Sequence, residues 1–313
     1  MIRTAIAAFA LLLSSCLVNA HEAMNLDQLM KAFGWNFETA EIKTQKITNN
    51  LHMLFGIGGN IAVSTGDNGV LIVDDQFPQV IPKVMKAIGE LGGKSVDFAI
   101  NTHWHFDHAE GNLSLGPQGT WLVSQKNSRD MMLDDHIINL VGMRYAQQAY
   151  PADALPHLTY DDTMQFHFNG EQIDLVHAGP AHTTGDTAVI FRGSNAVHLG
   201  DVFNNSGYPF IDADNGGDLT GVINFCKAVL AQTNANTVVI PGHGEVTNQE
   251  KLAAYAAMLE TLRGRILEMV EAGKTLGEVV AAKPTHDFDS AQGDSRNFVD
   301  RAYASLQREV SAR

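Results

Sequence analysis

Between residues 50 and 250 the chain alternates short apolar runs with polar breaks rich in Gly, Pro and Asn. Residues 51–55, 61–64, 70–73 and 96–100 are runs of strand length, three of them rich in β-branched residues,. Gly66-Asp67-Asn68-Gly69 joins two of them and predicts a hairpin, because such residues accept the positive φ of tight turns,. Three later runs have the same form. Asp174-Leu175-Val176-His177, Asn195-Ala196-Val197-His198-Leu199 and Thr237-Val238-Val239-Ile240 each lead into a glycine-bounded loop,. Helical patterns predict helices over 24–35, 82–91, 124–145 and 296–310, with Met131-Met132 as core or pocket wall. Leu252, Tyr255, Leu259, Leu262, Ile266 and Val270 keep helical spacing over several turns,. Strands alternating with helices and feeding one set of loops predict two sheets packed face to face, with helices outside.

Composition narrows the class. With 313 residues and a 45% apolar fraction the chain can bury a large core,. It shows neither repeats nor a low-complexity linker, so residues 21–313 are expected to form one domain with a helical C-terminal extension from about residue 274. Met1-Ile2-Arg3 followed by apolar residues 5–13 has the shape of a secretory signal and is too short to span a bilayer,. Two processing routes compete. Val18-Asn19-Ala20 is a small-residue cleavage site that leaves a soluble chain, the favoured outcome; Leu13-Ser14-Ser15-Cys16 resembles a lipoprotein box that anchors the chain through Cys16,. Either route predicts export, to a bacterial periplasm. The only other cysteine, Cys226, sits in a helical pattern as a small hydrophobe, so no intrachain disulfide is expected in the mature chain,. The formal charge of −14 disfavours nucleic acid and anionic membranes as partners,.

Candidate chemistry is concentrated after residue 100. His103-Trp104-His105-Phe106-Asp107-His108 places three histidines and a carboxylate in six positions. In an extended or tightly turned segment His103 and His105 point to one side, whereas the adjacent Asp107 and His108 diverge toward a second centre. That spacing suits two neighbouring metal ions better than one. The glycine-bounded loops supply more donors: His182 after the first run, Asp201 after the second and His243 after the third,.

This ordered set resembles the metallo-β-lactamase fold superfamily, with all five of its motifs in register over residues 50–245: Asp74, the HxHxDH run, His182, Asp201 and His243. The resemblance implies an αββα sandwich and two zinc ions per chain, iron being the lesser alternative. His103, His105 and His182 would hold the first ion. Asp107, His108 and His243 would hold the second, with Asp201 bridging. Asp74 resembles the family's acid that orients ligand loops, or is an ordinary strand-end residue. His52, His136, His157, His167, His177, His198 and His286 are expected to be structural, and His21 lies by the cleavage site.

Zinc lowers the pKa of bound water to about 7. The resemblance therefore implies a dizinc hydrolase in which a metal-bridging hydroxide attacks a carbonyl carbon and Asp107 orients the nucleophile or passes on a proton. The local wording of Gly179-Pro180-Ala181-His182-Thr183 and Pro241-Gly242-His243-Gly244-Glu245-Val246 resembles true β-lactamases. Asp201 instead resembles glyoxalase II-like thioesterases and lactonases, since lactamases usually place Cys there or no ligand. The substrate-gripping lysine that follows that Cys is also missing; Asn204, Asn205, Ser206 and Tyr208 are the hydrogen-bonding candidates,. The expected partners are small carbonyl substrates: a β-lactam, a lactone or a thioester, with a sulfur dioxygenase as the iron-bearing alternative. The loop after His52 and residues 153–163 are expected to wall the pocket.

Overall fold

The computed structural model describes residues 22–313. The expected signal, its cleavage site after Ala20 and Cys16 lie outside the described residues. Helix α1 (Leu26–Phe33) precedes strands β1 (Lys43–Lys46), β2 (Leu51–Phe55), β3 (Ile61–Gly66) and β4 (Gly69–Val73). Then come α2 (Ile81–Glu90), β5 (Phe98–Asn101), the short α3 (Phe106–Ala109) and α4 (Asn112–Leu115), β6 (Trp121–Gln125) and α5 (Lys126–Met132). A separate hairpin, β7 (His136–Asn139) and β8 (Arg144–Gln147), is followed by β9 (Leu158–Tyr160). The first sheet has the order β1-β2-β3-β4-β5-β6-β9. The second runs in sequence order through β10 (Thr163–Phe168), β11 (Glu171–Val176), β12 (Ala188–Phe191), β13 (Ala196–His198), β14 (Val238–Ile240) and β15 (Thr247–Asn248). Helix α6 (Leu219–Leu230) crosses from β13 to β14, and α7 (Gln249–Glu271), α8 (Leu276–Ala282), α9 (Asp289–Gln292) and α10 (Arg296–Ser311) complete the chain.

Alternation along the strands builds the layers. Leu51, Met53, Leu71, Val73, Ile100 and Val123 face Ile173, Leu175, Val189, Phe191 and Ile240 between the sheets,. Their neighbours Val63, Ile72, Ala99 and Leu122 turn the other way onto Ile81, Val84 and Ile88 of α2. On the second sheet Ile190, Val197 and Val239 pack outward against α6, α7 and α10 through Val222, Leu259 and Phe298. Four layers result, the expected αββα sandwich. Fully burying a Leu or Ile side chain of this kind contributes roughly 1.5–3 kcal/mol.

The strand pairing positions the chemistry. β4, β5 and β6 are mutually parallel, and so are β13 and β14. The loops leaving β4, β5, β13 and β14 are therefore gathered at one end of the sandwich, the arrangement by which parallel sheets collect ligand-binding residues. One expectation fails here. Residues 124–145 are not one helix: α5 ends at Met132, and residues 136–147 form the β7–β8 hairpin. Its turn places Val141 at φ 50° and Gly142 at φ 86°. A β-branched residue in that region gives no turn signal in the sequence, and Ile137-Ile138 supplies apolar positions that mimic a helix face,.

Candidate metal centre

His103 and His105 follow the end of β5, with His105 in extended backbone just before the single turn of α3 that carries Asp107 and His108. The turn does not send Asp107 and His108 apart: Asp107 Oδ2 lies 3.8 Å from His108 Nε2, and the two share one group because both side chains bend toward the same cluster. His182 comes from the loop after β11, Asp201 from a 3-10 turn after β13, and His243 from the loop after β14. These seven side chains converge into three groups whose donor atoms lie within 4.8 Å of one another: His103, His105 and His182; His103, His108 and Asp201; Asp107, His108 and His243. Asp201 lies between the outer two. Its Oδ2 is 3.8 Å from His182 Nε2, and its Oδ1 is 3.1 Å from His108 Nε2 and 3.5 Å from His243 Nε2. Asp107 Oδ2 is 3.2 Å from His243 Nε2.

Hydrogen bonds on the far side of the rings fix which nitrogen faces inward. His103 Nδ1 donates to Thr102 Oγ1 (3.0 Å), which donates onward to Asp74 (2.9 Å). Asp74 also accepts from His108 Nδ1 at 2.8 Å and from the Thr102 amide at 2.7 Å. His105 Nε2 donates to Asp212 (3.0 Å), and His182 Nδ1 to the Phe210 carbonyl (2.7 Å). The inward atoms are thus Nε2 of His103, His108 and His182 and Nδ1 of His105. Such outer partners set ring orientation and raise ligand basicity. Asp74 performs this at a cost. It sits at φ 63°, a conformation worth of order 1–3 kcal/mol of strain for a non-glycine residue, held by its three hydrogen bonds,.

The electrostatics divide the centre in two. Burial, reinforced by His108, His182 and His105, pushes His103 well below the usual histidine range, and burial with His105 lowers His182. In the other half burial opposes ionisation but loses to the carboxylates. Asp201, Asp107 and Asp74 hold His108 well above the usual range, and Asp201 and Asp107 push His243 up to about 10. His243 and His108 in turn outweigh burial at Asp201 and hold it well below the carboxylate range. Metal ligation requires neutral imidazoles and charged carboxylates. The lowered His103 and His182 already favour the neutral ring, whereas a cation at the other half would displace the protons that the carboxylates hold on His108 and His243,.

Two buried atoms test the fit: His103 Nε2 and Asp201 Oδ1 have no hydrogen-bond partner. His105 Nδ1 and His182 Nε2 also face each other at 2.9 Å. Unpartnered inward donors of this kind are what a divalent cation satisfies, and histidine with carboxylate suits zinc or iron. Glycines keep the centre tight: a Cβ on Gly59 would collide with the His108 ring, and one on Gly242 with Asp201 Oδ1. The side chains open to solvent only on one side, with His243 exposed by 27%, Asp201 by 15% and Asp107 by 12%.

The loop after β2 lies against the site as expected, through Gly59 and through Asn60, which donates to the Pro241 carbonyl. Residues 153–163 run into β9, which pairs in parallel with β6, and at its end Tyr160 Oη lies 2.6 Å from Thr187 Oγ1. Asn204 pairs with His243 through a backbone bridge, while its side chain accepts from Ser206. Asn205 donates to the Glu245 carbonyl. Tyr208 is not brought to the site: its hydroxyl donates to Asp289 (2.8 Å) and its ring stacks on Phe298. His177 and His198 are held by the Asp186 and Asn60 carbonyls, outside the three groups. The sequence reading missed Asp212, buried and bonded to His105. Its one sequence signal is an acid following the apolar Pro209-Phe210-Ile211.

Residues 57–243 match the family model of the metallo-beta-lactamase superfamily. The chain belongs to this superfamily. The superfamily is metal-dependent and includes hydrolases, and two curated relatives carry hydrolase names. The mitochondrial hydroxyacylglutathione hydrolase of Saccharomyces cerevisiae is 26% identical over 60% of this chain and 61% of that protein. The match therefore spans less than two thirds of that relative. A probable metallo-hydrolase of Methanocaldococcus jannaschii is 22% identical over 61% of this chain and 90% of that protein. Among solved structures, a metallo-beta-lactamase from Pontibacter korlensis superposes with a TM-score of 0.56 at 16% identity, covering 70% of this chain and 99% of that one. The lactamase FIM-1 from Pseudomonas aeruginosa, in its mono-zinc form, gives 0.56 at 18%, covering 70% and 95%. At such identities these structures share the fold with this chain and carry no substrate with them.

Proposed function

We propose that the chain is a dinuclear zinc hydrolase that opens activated carbonyl compounds, β-lactams among them. The observation that carries this is the position of Asp201, within reach of donors in both outer groups. His103, His105 and His182 would hold one ion, Asp107, His108 and His243 the other, and Asp201 would bridge. Bound there, two zinc ions would supply an activated water and polarise the substrate carbonyl. The chain's own part is to present them on one face. Asp107 and His243 stand at the open rim, so the substrate enters on their side, and Asp107 is placed to orient the attacking water and accept its proton. His103, His105, His108 and His182, sealed below, exclude bulk water from the opposite side.

A second substrate class rests on a specific feature. Asp201 is the residue of glyoxalase II-like enzymes, and the sequence relative in yeast is named for a thioester substrate. Lactones and thioesters are therefore the competing substrates on the same residues. Export to the periplasm, with residues 21–313 as the mature unit, belongs to the same proposal and rests on the N-terminal sequence alone.

The test is hydrolysis of a chromogenic cephalosporin, a lactone and a thioester by one purified sample, with metal content and a chelator control. Chelator-sensitive cephalosporin turnover with about two zincs per chain is expected. Turnover of only the lactone or thioester moves the substrate class. Iron in place of zinc, with none of the three substrates hydrolysed, overturns the hydrolytic assignment and moves the reading to the sulfur dioxygenase.

A further inference from the structure

Residues 208–219 form a strap with no strand partner, yet they orient two of the three histidines in the first group. The Phe210 carbonyl holds His182 Nδ1, and Asp212 holds His105 Nε2. The Asp212 amide also bonds the His182 carbonyl at 3.0 Å. Such a strap positions a ring only as well as it is itself held.

What holds it is the C-terminal part of the chain, beyond the segment that defines the superfamily. Arg308 of α10 donates from its two terminal guanidinium nitrogens, to the carbonyls of Ala213 and Gly217. These carbonyls flank the turn that follows Asp212. Within the turn, Asn215 donates to both carboxylate oxygens of Asp212, at 3.0 and 2.9 Å. Arg301, 8% exposed, lies 2.9 Å from Asp214. Ser305 accepts from the Leu219 amide at 3.0 Å. At the other end of the strap Tyr208 donates to Asp289 and stacks on Phe298. Five residues between 289 and 308 (Asp289, Phe298, Arg301, Ser305 and Arg308) thus clamp both ends and the middle.

We infer that α10 is a positioning element of the metal centre: Arg308, with Arg301, Ser305 and Tyr208, sets the affinity of the His103–His105–His182 group by fixing the strap that aims two of its rings. Among the described residues the other group receives no contact of this kind: Asp74 orients His108 from the first sheet, and within the first group Thr102 orients the third ring, His103. The effect of α10 is therefore confined to one site. Arg308 is the central residue since a guanidinium reaches two carbonyls at once and an ammonium does not hold that fork. This inference rests on the proposal that both groups bind zinc.

The test isolates each group. Zinc affinity is measured by competition with a chromogenic chelator in two full-length chains: His243→Ala, which keeps the three-histidine group, and His105→Ala, which keeps the other. Adding Arg308→Ala should weaken zinc at least tenfold in the first chain and less than twofold in the second, the size seen when an outer partner of a ligand is lost. Arg308→Lys should recover part of it. Cobalt substituted into the first chain should show an altered visible spectrum with Arg308→Ala, a change that general loss of stability does not produce. Equal weakening in both chains, or none in the first, overturns the inference. If neither chain binds zinc at all, the dizinc proposal falls and this one with it. Should Arg308→Ala fail to fold, Tyr208→Phe passes through the same pair of titrations, with a smaller loss expected in the first chain only.

Discussion

At the scale of residues, the centre depends on which atoms face inward. Asp201→Asn removes charge from the one carboxylate shared by the two groups. About one zinc should be lost per chain, and turnover should fall by at least the roughly 10- to 100-fold that follows loss of even an outer partner of a ligand. Two retained metals with full activity would remove its bridging role. His103→Ala should empty the first site, whereas His177→Ala should leave metal content unchanged, because the His177 ring is engaged by the Asp186 carbonyl.

Acidity gives a sharper signature. Without metal, Asp201 and Asp107 push His243 from its ordinary 6.5 up to about 10 despite burial, and His108 moves the same way. A raised histidine contributes stability that is complete below about pH 6.5 and is lost as pH rises through about 10. Melting temperature of the chelated protein should therefore fall between pH 6.5 and 10. The zinc-loaded protein should not show that fall, since zinc replaces the protons. Cys226 provides an independent check. Burial pushes its thiol up to about 12, so in a Cys16→Ser chain a thiol reagent should react only after denaturation.

At the scale of elements, the histidine run was legible because its donors are adjacent in sequence and β5 aims all four at one place. The β3–β4 hairpin was equally plain, since Gly66-Asp67-Asn68-Gly69 announces its turn and Gly66 pairs with Gly69. The β7–β8 hairpin was not, as its turn rests on Val141. Asp212 was invisible for a different reason: its meaning arises from a partner 107 positions away. Local pattern records which face of an element is apolar, not which distant ring a lone carboxylate will meet. The loop after β2 yields its own prediction. Gly59→Val should collide with the His108 ring and lower zinc content at the second group, while far-UV circular dichroism stays unchanged.

At the scale of the whole molecule, the two sheets approach each other with apolar faces along their length and with seven polar donors at one end. Removing the metals should lower the melting temperature, because a ligand bound only by the folded chain stabilises it in proportion to the logarithm of its free concentration over Kd. A melt repeated at several zinc concentrations checks this. A melting temperature independent of zinc would show that the donors do not act as a metal centre in the folded state.

The strand order has one more consequence. Residues 43–160 build the first sheet and residues 163–248 the second, so His103, His105, Asp107 and His108 belong to one half of the chain and His182, Asp201 and His243 to the other. Neither half owns a complete nest for an ion. A chain whose halves have not met, or have met out of register, cannot capture its zinc. Uptake of the metal then acts as an inspection of assembly, and an immature or misfolded copy is chemically silent until it passes.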